Sequence, residues 1–463
     1  MPSTEQYQRQ VDLDVSPEDA FAWHQRPEAL WRLLPPWQNV RILEQAGGIE
    51  PGARVKLRLR VGLLPCEWEA VHRECEPPRR FVDEQARGPF AHWRHEHLFE
   101  PTAQGQRCRL TDAITYRLRA GTLGRLIAGR GVRRTLDRVF AYRHRVTAAD
   151  LAMHAAWRDR PRLTVAITGA SGMIGRQLAA VLTTGGHRVI RLVRRAEPEA
   201  ADAVAWDPQS GIPDTAALEG IDAVVHLAGE NIAARRWTVK QRARLRESRV
   251  TATMKLCESL AAMMHPPGVL ITASAIGFYG DRGEQWLDES AGPGQGFLAD
   301  LGRDWEQAAQ VLAEAGTRVV NTRLGVVLTP AAGALGKMLP AFRAGMGGPL
   351  GSGRQWMSWI SIDDVCAAML HILMDDSVCG PVNIVAPEPV RQRDFARTLG
   401  RVLRRPAFAP APAFVLRLAL GRMADEALLA SARVRPAQLE QRRFTFRHAD
   451  LEQALRHLLG RMA

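Results

Sequence analysis

The sequence predicts an α/β protein in which a smaller α+β domain precedes a doubly wound parallel sheet with a small C-terminal region. Its 463 residues exceed the length of one ordinary domain. The first third alternates apolar and polar residues in short runs, which is typical of antiparallel strands. From residue 163 onward, apolar strand-like runs alternate with helical segments, which is typical of a parallel sheet.

We expect the chain to divide near residues 150–162. Asp159 to Arg162 has the charged, proline-containing composition of a linker. The predicted segments are a ligand-binding domain at 1–155, a linker at 156–162, a nucleotide-binding domain at 163–385 and a C-terminal substrate or lid region at 386–463.

Composition indicates a globular protein of a reducing compartment. Hydrophobic residues make up 46% of the chain and charged residues 24%, which is enough to bury a sizeable core. No apolar run reaches the roughly 18–20 residues of a membrane span, and the first residues lack the layout of a signal peptide. The six cysteines are scattered without CxxC pairs. We therefore expect a cytoplasmic protein without a membrane span.

The net charge of +13 comes almost wholly from arginine. Arginines concentrate between Arg117 and Arg145, where the pattern fits either a phosphate- or membrane-facing surface or an ordinary solvated helix face. Aromatic residues do not interleave with these arginines as a base-stacking platform requires. The solvated face is the favoured interpretation, and no nucleic-acid partner is expected.

The N-terminal elements begin with a strand at 7–15 and a helix after Ser16, a suitable N-cap with Pro17 in the first helical position. Further strands are predicted at 54–61, 67–75, 80–85, 92–100 and 107–117, and a long helix at about 121–154. This order, together with the strand segment Gly88–His97, resembles the START-like (SRPBCC) helix-grip domains. The resemblance implies a cavity between sheet and helix that holds an apolar ligand.

Two histidines in this segment, His95 and His97, are separated by one residue and therefore share one face of their strand. Such a pair is compatible with a metal ion. No third ligand stands at a recognisable spacing, so ordinary strand histidines are the favoured interpretation. We predict no metal site.

The most informative stretch, Val165 to Gly175, reads Val-Ala-Ile-Thr-Gly-Ala-Ser-Gly-Met-Ile-Gly. A strand, a tight glycine turn and a helix in this order direct backbone N–H groups and a helix N-terminus at a pyrophosphate, as in Rossmann-type folds. The first glycine permits the turn, the second lets the backbone approach the phosphates, and the third lets the helix pack on the strand. The predicted cofactor contacts here are Gly169, Ser171, Gly172, Met173, Ile174 and Gly175.

The strand and helix alternation continues along the chain. Strands are predicted at 187–193, 223–227, 269–274 and 318–327, crossover helices at 239–263 and 300–315, and a final amphipathic helix at 449–459. Asp363 and Asp364 are interpreted as a helix N-cap, with Asp364 opening the helix that follows.

The second strand ends in Arg-Leu-Val-Arg-Arg rather than in an acidic residue. NAD-binding folds place Asp or Glu about 20 residues beyond the first glycine, whereas arginine at this point suits the 2′-phosphate of NADP. Arg194 and Arg195 occupy the position, so NADP is favoured over NAD. Two solvated arginines at a strand end are the alternative.

Two later strand ends carry the remaining candidates. Small residues after the third strand let the backbone pass beneath the adenosine, and the predicted contacts are Leu227, Ala228, Gly229 and Glu230. Ser274 ends the next strand, at the edge where doubly wound sheets place their active crevice, and Tyr279 follows on the adjoining loop. Ser274 and Tyr279 are the predicted catalytic residues for a small-molecule substrate, with capping and packing as their alternative roles.

These motifs together resemble the extended short-chain dehydrogenase/reductase superfamily, in particular its NAD(P)-dependent epimerase/dehydratase-like branch. They are TGASGMIG, HLAGENI, SAIGFYG, WISIDDV and FTFRHADLEQALRHLLG, spread over about residues 163–463. The resemblance implies a Tyr-x-x-x-Lys pair on the helix after Ser274, whose lysine lowers the pKa of the tyrosine. The chain contains no Tyr-x-x-x-Lys, and Phe297 or Leu298 stands where the tyrosine is expected. Tyr279 is the best substitute phenol, with Arg303 or Arg323 as a substitute cation.

Two functions of different classes follow. The first is an NADP-dependent oxidoreductase or epimerase acting on a small carbonyl or hydroxyl substrate. The second is a non-catalytic NADP(H)-binding redox sensor or scaffold whose N-terminal domain carries an apolar ligand. A nucleic-acid-associated regulator using the Arg117–Arg145 face is a weaker third possibility.

Overall fold

The computed structural model describes residues 4–61, 64–119, 121–195, 202–212 and 214–462. The chain forms two compact units. Unit 1 runs to Pro161 and also includes Thr183–Gly186 and the residues from His457 onward, whereas unit 2 comprises Arg162–Leu182 and His187–Arg456.

Unit 1 is built on a seven-stranded antiparallel sheet in the order β1-β7-β6-β5-β4-β3-β2. Its strands are β1 (Glu5–Leu13), β2 (Arg41–Ala46), β3 (Arg54–Val61), β4 (Leu64–Glu76), β5 (Arg80–Arg87), β6 (Phe90–Thr102) and β7 (Arg107–Leu118). Its helices are α1 (Pro17–Gln25), α2 (Ala29–Leu33) and the long α3 (Gly121–Ala155). The predicted strands and the long helix are confirmed, and the Ser16 hydroxyl caps α1 by accepting the Asp19 N–H at 3.2 Å.

Two elements of unit 1, β2 and α2, were not predicted. β2 exposes nearly all of its side chains, so it lacks the apolar alternation by which a strand is recognised. The core lies between the inner face of the sheet and the helices, where Phe140 of α3 packs with Tyr7, Trp93 and Ile114. Arg143 of α3 lies against a cavity in this unit rather than on a solvated face, and burial lowers the pKa of its guanidinium.

Unit 2 is built on a seven-stranded parallel sheet in the order β10-β9-β8-β11-β12-β14-β18. The strands are β8 (Thr164–Thr168), β9 (Arg188–Val193), β10 (Ala203–Ala205), β11 (Ala223–His226), β12 (Val269–Ala275), β14 (Arg318–Leu324) and β18 (Gly380–Ile384). The strand order reverses between β8 and β11, which is the switch point where ligands bind in such sheets. The predicted parallel α/β sheet is therefore confirmed, but two of its strands were missed, the short β10 and the edge strand β18.

Helices and short strand pairs complete the chain. The helices are α4 (Met173–Thr184), α5 (Val239–Arg246), α6 (Ala252–Ala261), α7 (Phe297–Ala308), α8 (Gln310–Glu314), α9 (Gly333–Arg343), α10 (Ile362–Met374), α11 (Gln392–Leu403), α12 (Ala413–Leu420), α13 (Arg422–Ala424), α14 (Ala437–Gln441) and α15 (Leu451–Leu458). The short strands are β13 (Trp286–Leu287), β15 (Val326–Leu328), β16 (Trp356–Met357), β17 (Trp359–Ser361), β19 (Val390–Arg391) and β20 (Arg433–Val434). Among the described residues, no helix is long and apolar enough to cross a membrane.

Four predicted elements differ from the structure, and the first is the helix expected at 300–315, which is divided into α7 and α8. The helix expected at 239–263 is interrupted by a π-helical turn at Glu247–Thr251. The strand expected at 318–327 is two strands, because β14 ends before Gly325 and β15 pairs instead with β17. The N-cap of α10 is Ser361 rather than Asp364, since the Ser361 hydroxyl accepts the Asp364 N–H at 3.0 Å.

Asp364 has a different role from the one predicted. Its carboxylate accepts the backbone N–H groups of Arg447 at 2.6 Å and His448 at 3.1 Å, and it is completely buried. A buried carboxylate with several donors is a satisfied structural group. Asp364 therefore joins α10 to the segment that precedes α15.

Candidate nucleotide site and the adjoining polar network

The turn between β8 and α4 requires glycine at the predicted positions. Gly169 adopts a φ of +67°, and a Cβ there would lie 3.0 Å from the Ala228 nitrogen. The Gly172 N–H donates to the Gly169 carbonyl at 2.9 Å. A Cβ on Gly175 would overlap that same carbonyl oxygen. The backbone therefore packs as closely as a pyrophosphate-binding turn needs.

The other predicted residues of this turn lie at the start of α4. Ser171 is exposed, whereas Met173 and Ile174 are half-buried in the first turn of the helix. The unpaired N–H groups of a helix N-terminus attract phosphate. This end of α4 thus has the geometry and the polarity of an anion site.

Thr168 links the turn after β11 to the glycine turn by hydrogen bonds. The Thr168 hydroxyl oxygen accepts the N–H groups of Leu227 and Ala228, both at 3.1 Å. It also lies 2.7 Å from Nδ1 of His226. Because that oxygen already accepts twice, we assign its proton to the His226 contact, which makes Nδ1 the acceptor. Burial lowers the pKa of His226 to about 4, so the imidazole is neutral.

The remaining predicted contacts on this side are Gly229 and Glu230. The Glu230 N–H donates to the Ser248 hydroxyl at 3.1 Å, and its carboxylate accepts from Gln241 at 2.8 Å. Both partners lie on the α5 and π-helical segment. The structure therefore brings Leu227 and Ala228 against the glycine turn at the switch point of the sheet, while Gly229 lies against Arg249 and Glu230 contacts Ser248 and Gln241.

Arg249, which the sequence analysis missed, lies beside the same turn. It belongs to the π-helical turn, and a Cβ on Gly229 would lie 3.4 Å from its guanidinium carbon. Its guanidinium also lies 5.1 Å from the ring of Trp305, and burial lowers its pKa to about 10. Short π-helical turns occur frequently at functional sites. The sequence does not reveal where a helix contains such a turn, so Arg249 could not be identified from it.

Arg194 and Arg195 follow β9 directly, and both side chains are exposed. β9 is the neighbour of β8, so the two arginines leave the sheet at the same edge as the glycine turn. This edge is where the adenosine ribose lies in Rossmann-type folds.

Ser274 and Tyr279 meet in one buried network around Arg323. The Ser274 hydroxyl donates to Glu306 at 2.7 Å. Arg323 donates to both carboxylate oxygens of Glu306, at 2.9 and 2.8 Å, and its third nitrogen donates to the Tyr279 oxygen at 2.9 Å. Burial opposes the charge on Arg323, but the contact with Glu306 outweighs burial and raises the arginine pKa.

The hydroxyl of Tyr279 is enclosed by protein groups. The side chain is 0% exposed, and the oxygen lies 2.8 Å from Asn383 Oδ1 and 3.0 Å from the Asp288 carbonyl. Burial raises the pKa of this phenol, against the effect of Arg323. A buried, protonated phenol holds its neighbours in position. This agrees better with the packing role of Tyr279 than with its predicted role as a catalytic acid.

The other residues considered for proton transfer lie elsewhere. Arg303 is exposed on α7 and pairs with Asp300 at 3.2 Å and Asp304 at 3.1 Å. Leu298, near the expected tyrosine position, lies over Gly277. Glu306 was missed because it stands on the helix α7 rather than at a strand end. Ser274 and Arg323, by contrast, are direct partners in the β12–β14 register. Strand register is the signal that would have found that pair.

A doubly wound sheet with a glycine turn and a polar network at its carboxyl edge defines the class of nucleotide-binding α/β proteins that carry dehydrogenase and epimerase chemistry. The family model for the NAD dependent epimerase/dehydratase family matches residues 165–384. An epimerase family protein of Mycobacterium leprae is 43% identical over 302 residues, covering 65% of this chain and 97% of that protein. The chain therefore belongs to this epimerase family and is an NAD(P)-binding protein.

Solved structures agree with this membership. The nucleoside-diphosphate sugar epimerase from Corynebacterium glutamicum superimposes with a TM-score of 0.80 at 34% identity, covering 98% of this chain and 90% of that one. A human epimerase family protein, SDR39U1 isoform 2 with NADPH, gives a TM-score of 0.60 at 33% identity, covering 65% of this chain and 100% of that one. Two domains of unknown function also match, DUF8410 at residues 11–151 and DUF1731 at 411–458.

Proposed function

We propose that unit 2 binds NADP(H) in preference to NAD(H). The observation that carries this proposal is the pair of exposed arginines, Arg194 and Arg195, at the strand end where NAD-specific folds place an acid. The human relative with NADPH supports the same choice. The glycine turn provides the close backbone approach, and the predicted contacts from Gly169 to Gly175 and from Leu227 to Glu230 would hold the pyrophosphate and adenosine.

We further propose that the chain is an oxidoreductase or epimerase for a small carbonyl or hydroxyl substrate. The bound nicotinamide would supply or accept the hydride. Glu306 is the group of this chain that would exchange the substrate proton. Its carboxylate accepts a hydrogen bond from the Ser274 hydroxyl, and its side chain is 12% exposed. Arg323 holds Glu306 in one orientation, and Tyr279 holds Arg323. The Corynebacterium relative, a nucleoside-diphosphate sugar epimerase, makes a nucleotide-linked sugar the first substrate class to test.

A second candidate is binding of NADP(H) without turnover. Two observations favour it: the chain lacks Tyr-x-x-x-Lys, and Tyr279 is 0% exposed. A protein of this kind would sense or present the cofactor rather than consume it. The cytoplasmic location expected from the sequence remains a prediction for either function.

For unit 1 we propose a START-like helix-grip domain that binds an apolar ligand. A cavity of about 1010 Å³ lies within this unit. Its lining includes Leu57 and Trp68 of the sheet and Val132 and Leu136 of α3. A volume of this size suits a drug-sized or larger apolar molecule.

The deciding experiment is calorimetric titration of the full chain with NADPH and with NADH, followed by NADPH oxidation over a panel of carbonyl compounds. We expect NADPH to bind more tightly, and the double variant Arg194→Ser/Arg195→Ser to lose about tenfold of that preference, or about 1.4 kcal/mol. Arg188→Ser, at the opposite end of the same strand, is the matched control. Equal affinity for both cofactors in the parent chain would contradict the NADP assignment.

Two variants separate catalysis from binding. Ser274→Ala should lower turnover with little change in NADPH affinity if the Ser274–Glu306 contact handles the proton. Tyr279→Phe should reduce stability more than turnover if the phenol only positions Arg323. Tight NADPH binding with no turnover over the whole panel, nucleotide sugars included, would favour the non-catalytic candidate.

A further inference from the structure

Unit 1 contains a buried group of histidines and aspartates that the nucleotide site does not use. His95 and His97 on β6 face inward, with Asp83 on β5, Asp112 on β7 and His144 on α3. The antiparallel register pairs Asp83 with His95 and His97 with Asp112. Three adjacent strands thus present these groups at one level of the sheet.

Three of the groups direct ligand atoms at a common point. Oδ2 of Asp83 lies 3.3 Å from Nδ1 of His95 and 3.6 Å from Nε2 of His97. One ligand atom from each of the three residues lies within 4.8 Å of the other two. Donors bound to one tetrahedral ion at about 2.0–2.2 Å stand about 3.3–3.6 Å apart, so the two Asp83 distances are compatible with donors to one ion.

The opposite ring nitrogens contact a second carboxylate. Oδ1 of Asp112 is 2.8 Å from Nε2 of His95 and 2.8 Å from Nδ1 of His97. Its other oxygen lies 2.5 Å from Nε2 of His144. Histidines that bind metal characteristically present their second nitrogen to a carboxylate, which sets the tautomer and the ring orientation. Asp112 does this for His95 through a hydrogen bond, whereas Nδ1 of His97 lies close to the same oxygen without hydrogen-bond geometry.

Charge and access agree with a cation. Asp112 is buried and the side chain of Asp83 is 15% exposed, so two carboxylates lie in a largely enclosed region where charge must be neutralised. A divalent ion would add positive charge to that of Arg143, which lines the same cavity and interacts electrostatically with both carboxylates. Asp83, His95 and His97 also line the 1010 Å³ cavity, so a metal there would keep coordination positions open to a cavity ligand.

We propose that Asp83, His95 and His97 form a binding site for one divalent transition-metal ion of the Zn²⁺ or Fe²⁺ class. Two imidazoles and one carboxylate with open positions are the ligand set of catalytic zinc sites and of facial-triad iron sites. A ligand in the cavity would then be held by an oxygen or nitrogen atom bound to the metal, with its apolar part along the walls. This site is independent of the proposed function of unit 2.

The test uses the full chain after dialysis against a chelator. Titration with Co²⁺ should give one equivalent with a visible absorption band, and Zn²⁺ should displace it. His97→Ala should abolish binding, and Asp112→Asn should weaken it by about 10–100-fold. His92→Ala is the matched control, because His92 is an exposed histidine on the same strand.

Folding defects are separated from ligand loss by two further measurements. Each variant is checked for an unchanged near-UV circular dichroism spectrum and an unchanged urea denaturation profile. X-ray absorption of the Zn²⁺-loaded parent chain needs no variant, and it should show two imidazoles and oxygen donors at about 2.0–2.2 Å. No stoichiometric binding of Co²⁺ or Zn²⁺, a metal shell without imidazole, or full binding by a folded His97→Ala chain would overturn the proposal and leave a purely hydrogen-bonded network.

Discussion

The two sides of the switch point in unit 2 differ in what forms them: backbone on one side and charged side chains on the other. On the cofactor side, Gly169, Gly172 and Gly175 form a surface of backbone, and Thr168 fastens it to the neighbouring turn. On the side proposed to face the substrate, a buried ion pair between Arg323 and Glu306 brings the Ser274 and Tyr279 hydroxyls together. The first side depends on the absence of side chains, and the second depends on exact pairing of charges.

This difference explains why the nucleotide-binding turn has a glycine spacing typical of Rossmann-type folds, while the other side lacks the expected Tyr-x-x-x-Lys pair. A glycine turn accepts few substitutions, because an added Cβ meets backbone atoms that cannot move aside. A polar network can be assembled from other residue types wherever neighbouring strands bring suitable groups together. The absence of Tyr-x-x-x-Lys therefore leaves the nucleotide-binding turn intact, and under the proposed function Glu306 takes over the proton transfer.

The largest effect should come from breaking the charge pair. Arg323→Met leaves the Glu306 carboxylate unpaired in a buried site, and we expect the free energy of unfolding to fall by about 3–5 kcal/mol. Urea denaturation that follows the unfolding of unit 2 measures this change in the free energy of unfolding. Arg303→Met removes an exposed arginine of α7 and should change stability by about 1 kcal/mol or less. Equal effects of the two variants would show that the network is no more than a surface ion pair.

The next effect is a pH dependence on the cofactor side. Because the folded pKa of His226 is lowered to about 4, its contribution to stability is intact above the unfolded value of 6.5 and is lost as pH falls toward 4. The full loss is about 3 kcal/mol. Urea denaturation at pH 7, 5.5 and 4 should show a smaller loss for His226→Gln than for the parent chain. Parallel pH curves for the two chains would contradict a buried neutral imidazole.

The smallest of the three effects concerns the backbone. Gly175→Ala places a methyl group on the Gly169 carbonyl oxygen, so we expect a loss of about 1–3 kcal/mol in stability together with weaker NADPH binding. Gly268→Ala is the control, because a Cβ there meets its nearest atom at an ordinary 3.5 Å. Calorimetric titration of both variants with NADPH compares them. Unchanged affinity in Gly175→Ala would mean that the close packing of this turn is not needed for the cofactor.

The structural features predicted correctly, the glycine turn and the cap of α1, share a local signal. Gly169, Gly172 and Gly175 lie within one turn, and the Ser16 cap lies beside the helix it begins, so short spacings reveal them. Glu306 and Asp112 carry no such signal. Glu306 stands 32 residues from Ser274, and Asp112 stands 17 residues from His95, so only strand order and helix packing bring each pair together.

The sequence by itself therefore determined the alternation of strands and helices, the antiparallel and parallel sheets, and the nucleotide-binding turn. These depend on periodicity and on backbone conformations that neighbouring residues dictate. Only the tertiary structure decided that Ser274 faces Glu306, that Tyr279 is enclosed, and that Asp83 and Asp112 lie on either side of the two histidines. Those contacts join residues on separate elements, and their distances follow from sheet register and packing rather than from spacing along the chain.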